Sequence, residues 1–84
     1  MPPRDRPLWD ACTPPQRDVL VMLARTGWSN ELIGRELGIT AADVKYRLRR
    51  IYDKTKITKR SALVMAYLQE CHLTGVSVTG PLIV

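Results

Sequence analysis

The stretch ELIGRELGITAADVKYRLRRIYDK, Glu31 to Lys54, reads as two helices around a tight turn. Leu32, Ile33 and Leu37 share one face of the first, and Ser29 stands where a capping residue belongs. Gly38 follows the last apolar residue, at the point where a left-handed residue commonly closes a helix. Thr40 then caps the next helix, with Asp43 three residues on as its capping-box partner. Gly34 is small enough for the two helices to cross closely, Ile39 is placed to plug the core under the turn, and Val44 starts a buried stripe. One glycine in a loop says little. Gly34, Gly38 and Val44 in this order specify a helix-turn-helix.

On a wheel of about 100° per residue, Val44, Leu48 and Ile51 fall together on the inner face of the helix over 41–54. Ala42, Lys45, Tyr46, Arg49 and Asp53 fall opposite, flanked by Arg47, Arg50 and Lys54. An α-helix fits the major groove of B-form DNA, where Arg and Lys donate to guanine O6 and N7. Lys45, Tyr46 and Arg49 are therefore the candidate base contacts. Arg47, Arg50 and Lys54, with Lys59 and Arg60 beyond, are candidate phosphate contacts. Free backbone N–H groups at helix N-termini also bind phosphate, which adds Ser29, Asn30 and Thr40. Charge supports the same face. Residues 45–60 hold eight cations against Asp53, a local charge of +7; the whole chain carries +5, so the remainder carries −2. A surface kept basic only for solubility does not need that asymmetry.

Outward from this centre, the 84 residues make one small all-α domain whose core is aliphatic, since Phe is absent. Residues 1–12 hold three prolines and read as an arm, pinned by Trp9. The domain proper spans 13–71. Thr13 caps a helix with Pro14 in its first turn; Val19, Leu20, Met22 and Leu23 repeat at helical spacing, and the helix should stop near Arg25, before Gly27 and the polar residues around it. A last helix runs from Lys59 or Arg60 to Cys71, with Leu63, Val64, Ala66, Tyr67 and Leu68 as its apolar set. In the tail, 72–84, Val76 and Val78 alternate with Ser77 and Thr79, which suits a short strand or an unstructured end. The apolar end Leu82, Ile83, Val84 suits docking on the domain or on a protein partner.

Other classes of function find little support. Cys12 and Cys71 lack any zinc spacing and His72 stands alone, so no metal and no cofactor is expected, and both thiols should be reduced and packed. No apolar run of about 18 residues exists to span a membrane, and MPPRDRP lacks the apolar core of a signal peptide, so a cytoplasmic location is expected. Asp18, Glu31, Glu36 and Glu70 are scattered at positions expected of solvated helix faces, and no nucleophile pairs with a base, so an enzyme is not expected.

Residues 12–68, CTPPQRDVLVMLARTGWSNELIGRELGITAADVKYRLRRIYDKTKITKRSALVMAYL, resemble a LuxR-type (GerE-like) helix-turn-helix domain. The family pattern runs roughly LTPREREVL, a loop ending in SN, EIA-x-x-LGIS-x-x-TVK-x-H-x-x-NIY-x-KL, a basic segment and a last helix. The resemblance implies four helices, binding to double-stranded DNA with the third helix in the major groove, and bases reached from the positions of Lys45 and Arg49. It also implies a homodimer through the last helix, about 60–71, where Leu63, Val64, Tyr67 and Leu68 are the candidate contacts.

Several positions depart from the pattern. Pro15 and Gln16 replace the basic residue and Glu of the first motif, and the loop ARTGWSN is one residue longer. Asp43 stands where Thr is common, and its carboxylate would repel phosphate. Arg47 replaces a frequent His, and Thr55-Lys56 replaces Leu-Gly. About twelve residues precede the domain, so the expectation is a standalone regulator that senses neither phosphorylation nor an inducer within this chain. The alternative is an interaction module, similar to region 4 of sigma factors or to an adaptor. It would bind another regulator or RNA polymerase with weak or no DNA binding. Asp43, the altered first helix and the apolar tail motivate that alternative; the segment RIYDKTKITKRSAL favours the LuxR-type reading.

Overall fold

The computed structural model describes residues 6–75, which form five helices with no strand among them. They are α1 (Pro7–Ala11), α2 (Pro14–Thr26), α3 (Asn30–Leu37), α4 (Ala41–Thr55) and α5 (Arg60–Thr74). The all-α fold and its four expected helices are present. The addition is α1, in what reads from sequence as an arm. The last helix also runs past Cys71 to Thr74, where Gly75 closes it with φ 72°. The tail from residue 76 lies outside the described residues.

The cause of α1 is Glu70. Its two carboxylate oxygens accept the N–H groups of Leu8 at 2.9 Å and Trp9 at 3.1 Å. These are first-turn donors that an isolated helix leaves unpaired, and a carboxylate there also suits the helix dipole. The Arg6 Nε lies 4.0 Å from the same carboxylate. Trp9 does pin the segment: its ring lies 4.5 Å from the guanidinium of Arg6 and 4.9 Å from that of Arg17, and it stacks on Tyr67 at 6.2 Å between centroids. Glu70 thus corrects the expectation of a solvated acid, since it is buried. Its position was open to view: it sits seven residues after Leu63 and three after Tyr67, on the inner face of α5.

Each helix end has a local cause. Gln16 accepts the Thr13 N–H through Oε1 at 3.0 Å, so the missing Glu of the first motif costs α2 nothing at this bond. Gly27 and Gly38 end α2 and α3 in the left-handed region, with φ 69° and 73°. Gly34 is tighter than a helix crossing alone requires. A Cβ there would lie 2.7 Å from the Ile39 carbonyl oxygen, because the turn backbone itself packs on this residue. The Ile39 N–H donates to the Gly34 carbonyl at 2.8 Å across that contact. At the end of α4, Lys56 takes φ 63°, a left-handed conformation without the glycine that favours it.

The core gathers Val19, Leu20 and Leu23 from α2, Ile33 from α3, Val44, Leu48 and Ile51 from α4, and Leu63 and Tyr67 from α5. Leu8, Cys12 and Cys71 complete it on the α1 side. Leu32, expected on the inner face, is 42% exposed; Ile33 carries the α3 contact, with Leu37 partly buried beside it. Leu63 and Tyr67 are fully buried within the monomer, which corrects their assignment as dimer contacts: a side chain filling the core offers no surface to a second chain. Cys12 and Cys71 are buried and not joined in a disulfide. Burial pushes the Cys12 thiol up, partly offset by Lys54 and Arg17, and burial with a hydrogen bond to Cys71 pushes the Tyr67 hydroxyl up. No helix among the described residues is long and apolar enough to cross a membrane, and no group of His, Cys, Asp and Glu among them could hold a metal ion.

Candidate nucleic-acid interface

Helix α4 is oriented by its apolar stripe. Val44, Leu48 and Ile51 are buried, and α4 packs on α1, α2 and α3, so the opposite face has only solvent to meet. Lys45, Tyr46 and Arg49 lie on that face and are exposed, Tyr46 at 63%. Arg50, which flanks that face, and Lys59, which precedes α5, are exposed as well.

The N-terminal end of this face opens into a cleft of about 750 Å³ whose walls include Trp28, Ser29, Asn30, Ala41, Lys45 and Arg60. Four residues named from sequence as DNA contacts therefore converge from three elements. Ser29 caps α3, its Oγ accepting the Leu32 N–H at 3.4 Å. Glu31, in the first turn of α3, also borders the cleft; from sequence it is one of the acids expected on solvated helix faces. Trp28 was missed from sequence. It lies in the lengthened loop and is 39% exposed, and no helical periodicity assigns loop side chains to a face.

Other named cations are engaged within the domain. The Lys54 Nζ donates to the Gln16 Oε1 at 3.0 Å, and the Arg47 Nη1 reaches the Pro15 carbonyl at 3.4 Å. Both therefore lie toward the α2 N-terminus, away from the cleft. Arg60 donates to the Asn30 Oδ1 at 2.8 Å and to the Trp28 carbonyl at 2.6 Å. Thr40 and Asp43 bond reciprocally: the Asp43 N–H donates to the Thr40 Oγ1 at 3.1 Å, and the Thr40 N–H donates to the Asp43 Oδ2 at 3.3 Å. Asp43 is thus a capping residue of α4, which accounts for an acid at this place. Burial pushes the Tyr52 hydroxyl up, partly offset by the charge of Arg60.

Comparison with known proteins agrees with this geometry. Residues 10–67, more than half of the chain, match the family described as bacterial regulatory proteins, luxR family. The chain is 42% identical over 52 residues to the monoamine regulon transcriptional regulator of Klebsiella aerogenes, covering 62% of this chain and 22% of that protein. It is 34% identical over 59 residues to the probable transcriptional regulatory protein SgaR of Hyphomicrobium methylovorum, covering 70% of this chain and 28% of that protein. The chain thus spans about a quarter of the length of these relatives. No solved structure matches it. With the helix-turn-helix, the outward cations of α4 and the match over most of its length, the chain belongs to the luxR family of bacterial regulatory proteins, a family of DNA-binding transcriptional regulators.

Proposed function

We propose that this domain regulates transcription by laying α4 in the major groove of duplex DNA. Lys45, Tyr46 and Arg49 face the base edges. Arg50 and Lys59, with the N-terminus of α3 at Ser29 and Asn30, meet phosphates, and Arg47, Lys54 and Thr40 lie at the margins of that contact. The observation that carries the reading is the orientation of α4: its buried Val44, Leu48 and Ile51 leave Lys45 and Arg49 as its outward donors. A homodimer would use the outer face of α5, where Met65 is 65% exposed and Val64 and Leu68 are partly exposed. Half-sites would then lie about 10 base pairs apart, or a multiple of that. A cytoplasmic location and no catalytic role follow from the same reading.

The test is selection of bound sequences from random duplex DNA, followed by anisotropy titrations. The expected result is an enriched, two-fold symmetric motif. Arg49→Ala should cost about 1–3 kcal/mol and relax one position of that motif, while Arg50→Ala should weaken all sequences alike and reduce the salt slope by about 1. Absence of any salt-sensitive duplex binding by the wild-type domain would refute the proposal.

A further inference from the structure

Arg60 opens α5, where the helix dipole disfavours a cation. Its guanidinium does not serve its own helix. Nη1 donates to the Oδ1 of Asn30, and Nη2 to the carbonyl of Trp28. Both acceptors lie at the entrance to α3, 30 and 32 residues earlier in the chain. The Trp28 N–H donates in turn to the Thr26 Oγ1 at 3.0 Å, so both peptide groups of Trp28 are held. Between the two acceptors stands Ser29, the cap of α3. One planar fork thus braces the residues that aim the α3 N-terminus into the cleft beside Lys45. A lysine ammonium is a point donor on a flexible stem and does not reproduce such a two-pronged brace.

From this we infer that Arg60 is a positioning residue for DNA binding, and not itself a phosphate contact: it fixes Trp28–Asn30 against α5 so that the α3 N-terminus and Lys45 present one surface. This inference rests on the DNA-binding reading above. It reassigns a residue that charge alone places among the phosphate contacts.

Anisotropy titrations on one selected duplex across a range of salt test it. The proteins are wild type, Arg60→Met, Arg60→Lys, Asn30→Ala and the Asn30→Ala/Arg60→Met double variant, each shown to be folded by circular dichroism and thermal melting. Arg60→Met should weaken binding about tenfold, the size of a lost charge-assisted hydrogen bond. Its salt slope should stay that of wild type. Arg60→Lys should lose most of the same affinity despite keeping the charge. Asn30→Ala should lose part of it, and the double variant no more than Arg60→Met alone. A salt slope reduced by about 0.9 in Arg60→Met would mark a direct phosphate contact and overturn the inference. So would wild-type affinity in Arg60→Lys, or variants that melt earlier yet bind normally while folded. If Arg60→Met does not fold, Arg60→Lys and Asn30→Ala decide by the same criteria. Wild-type protein that binds no duplex overturns the DNA-binding reading, and this inference with it. Wild-type binding with all the variants unaffected overturns this inference alone.

Discussion

Replacing Lys56 with glycine should stabilise the domain. Lys56 closes α4 with φ 63° and ψ 13°, and among the described residues it alone holds a positive φ without being glycine. A left-handed conformation costs an ordinary residue about 1–2 kcal/mol, because Cβ crowds the following carbonyl. Glycine removes that cost but brings a more flexible unfolded chain, which returns about 0.5–1 kcal/mol. The closing bond from the Lys56 N–H to the Tyr52 carbonyl at 2.8 Å is a backbone bond and survives the change. The side chain is exposed, so no packing is lost. The net expectation is a gain of about 0.5–1 kcal/mol, or about 2–8 °C in Tm for a domain of this size. Urea and thermal unfolding followed by circular dichroism measure it. Lys56→Ala is the necessary control, since it removes the same charge from a crowded basic region while keeping the left-handed strain. If Lys56→Gly is no more stable than Lys56→Ala at an equal m-value, the strain reasoning is wrong and any gain belongs to charge relief.

Gly34→Val should cost about 2–3 kcal/mol by thermal melting, because its Cβ would meet the Ile39 carbonyl, which cannot rotate aside; a neutral effect would refute the tight turn contact. Glu70→Gln should cost about 1.5–3 kcal/mol and move Trp9 toward solvent, seen as a red shift of tryptophan emission, since one of the two oxygens that accept the Leu8 and Trp9 N–H groups becomes an NH2 donor. Leu63→Ala should cost about 2–5 kcal/mol of stability, while Met65→Ala should change it by less than about 0.5 kcal/mol; equal losses would contradict the burial of one and the exposure of the other. Asp43→Asn keeps an acceptor for the Thr40 N–H and removes a charge, so duplex binding should tighten about twofold with a stability loss under about 1 kcal/mol; weaker binding in anisotropy would refute this.

The helix-turn-helix was legible because its causes are local. Val44, Leu48 and Ile51 repeat at helical spacing, Ser29 and Thr40 cap, and Gly38 stops, each within one or two turns of the residue it governs. What stayed hidden depends on distant pairs. Glu70 builds α1 from 61 and 62 residues away, and a five-residue helix has too few positions to show a period. Leu32 shares a sequence face with Ile33, but α3 is short and packs through a narrow strip, so its edge residue faces solvent. The outward cations of α4 were readable from the wheel. Which of the other basic residues bond within the domain was not, because Lys54 with Gln16, and Arg60 with Asn30, meet only in the folded chain.

Asp43 shows how stability and binding are balanced at the recognition helix. The N-terminus of an α-helix carries about half a positive charge, and a capping carboxylate there is worth about 1 kcal/mol. Against this stands repulsion from a DNA phosphate. At a separation of about 8 Å in water it amounts to about 0.5 kcal/mol, and salt at physiological strength screens it further. The helix therefore gains more from the acid in every folded molecule than it loses when bound. The cost is positional. With the Thr40 N–H bonded to Asp43 and the Asp43 N–H to Thr40, two N–H groups at the end of α4 are engaged by its own cap. The cleft that could seat a phosphate lies between the first residues of α4, Ala41 and Ala42, with Lys45, and the α3 N-terminus. Seating a phosphate there depends on the α3 N-terminus being held beside α4, and Arg60 holds it.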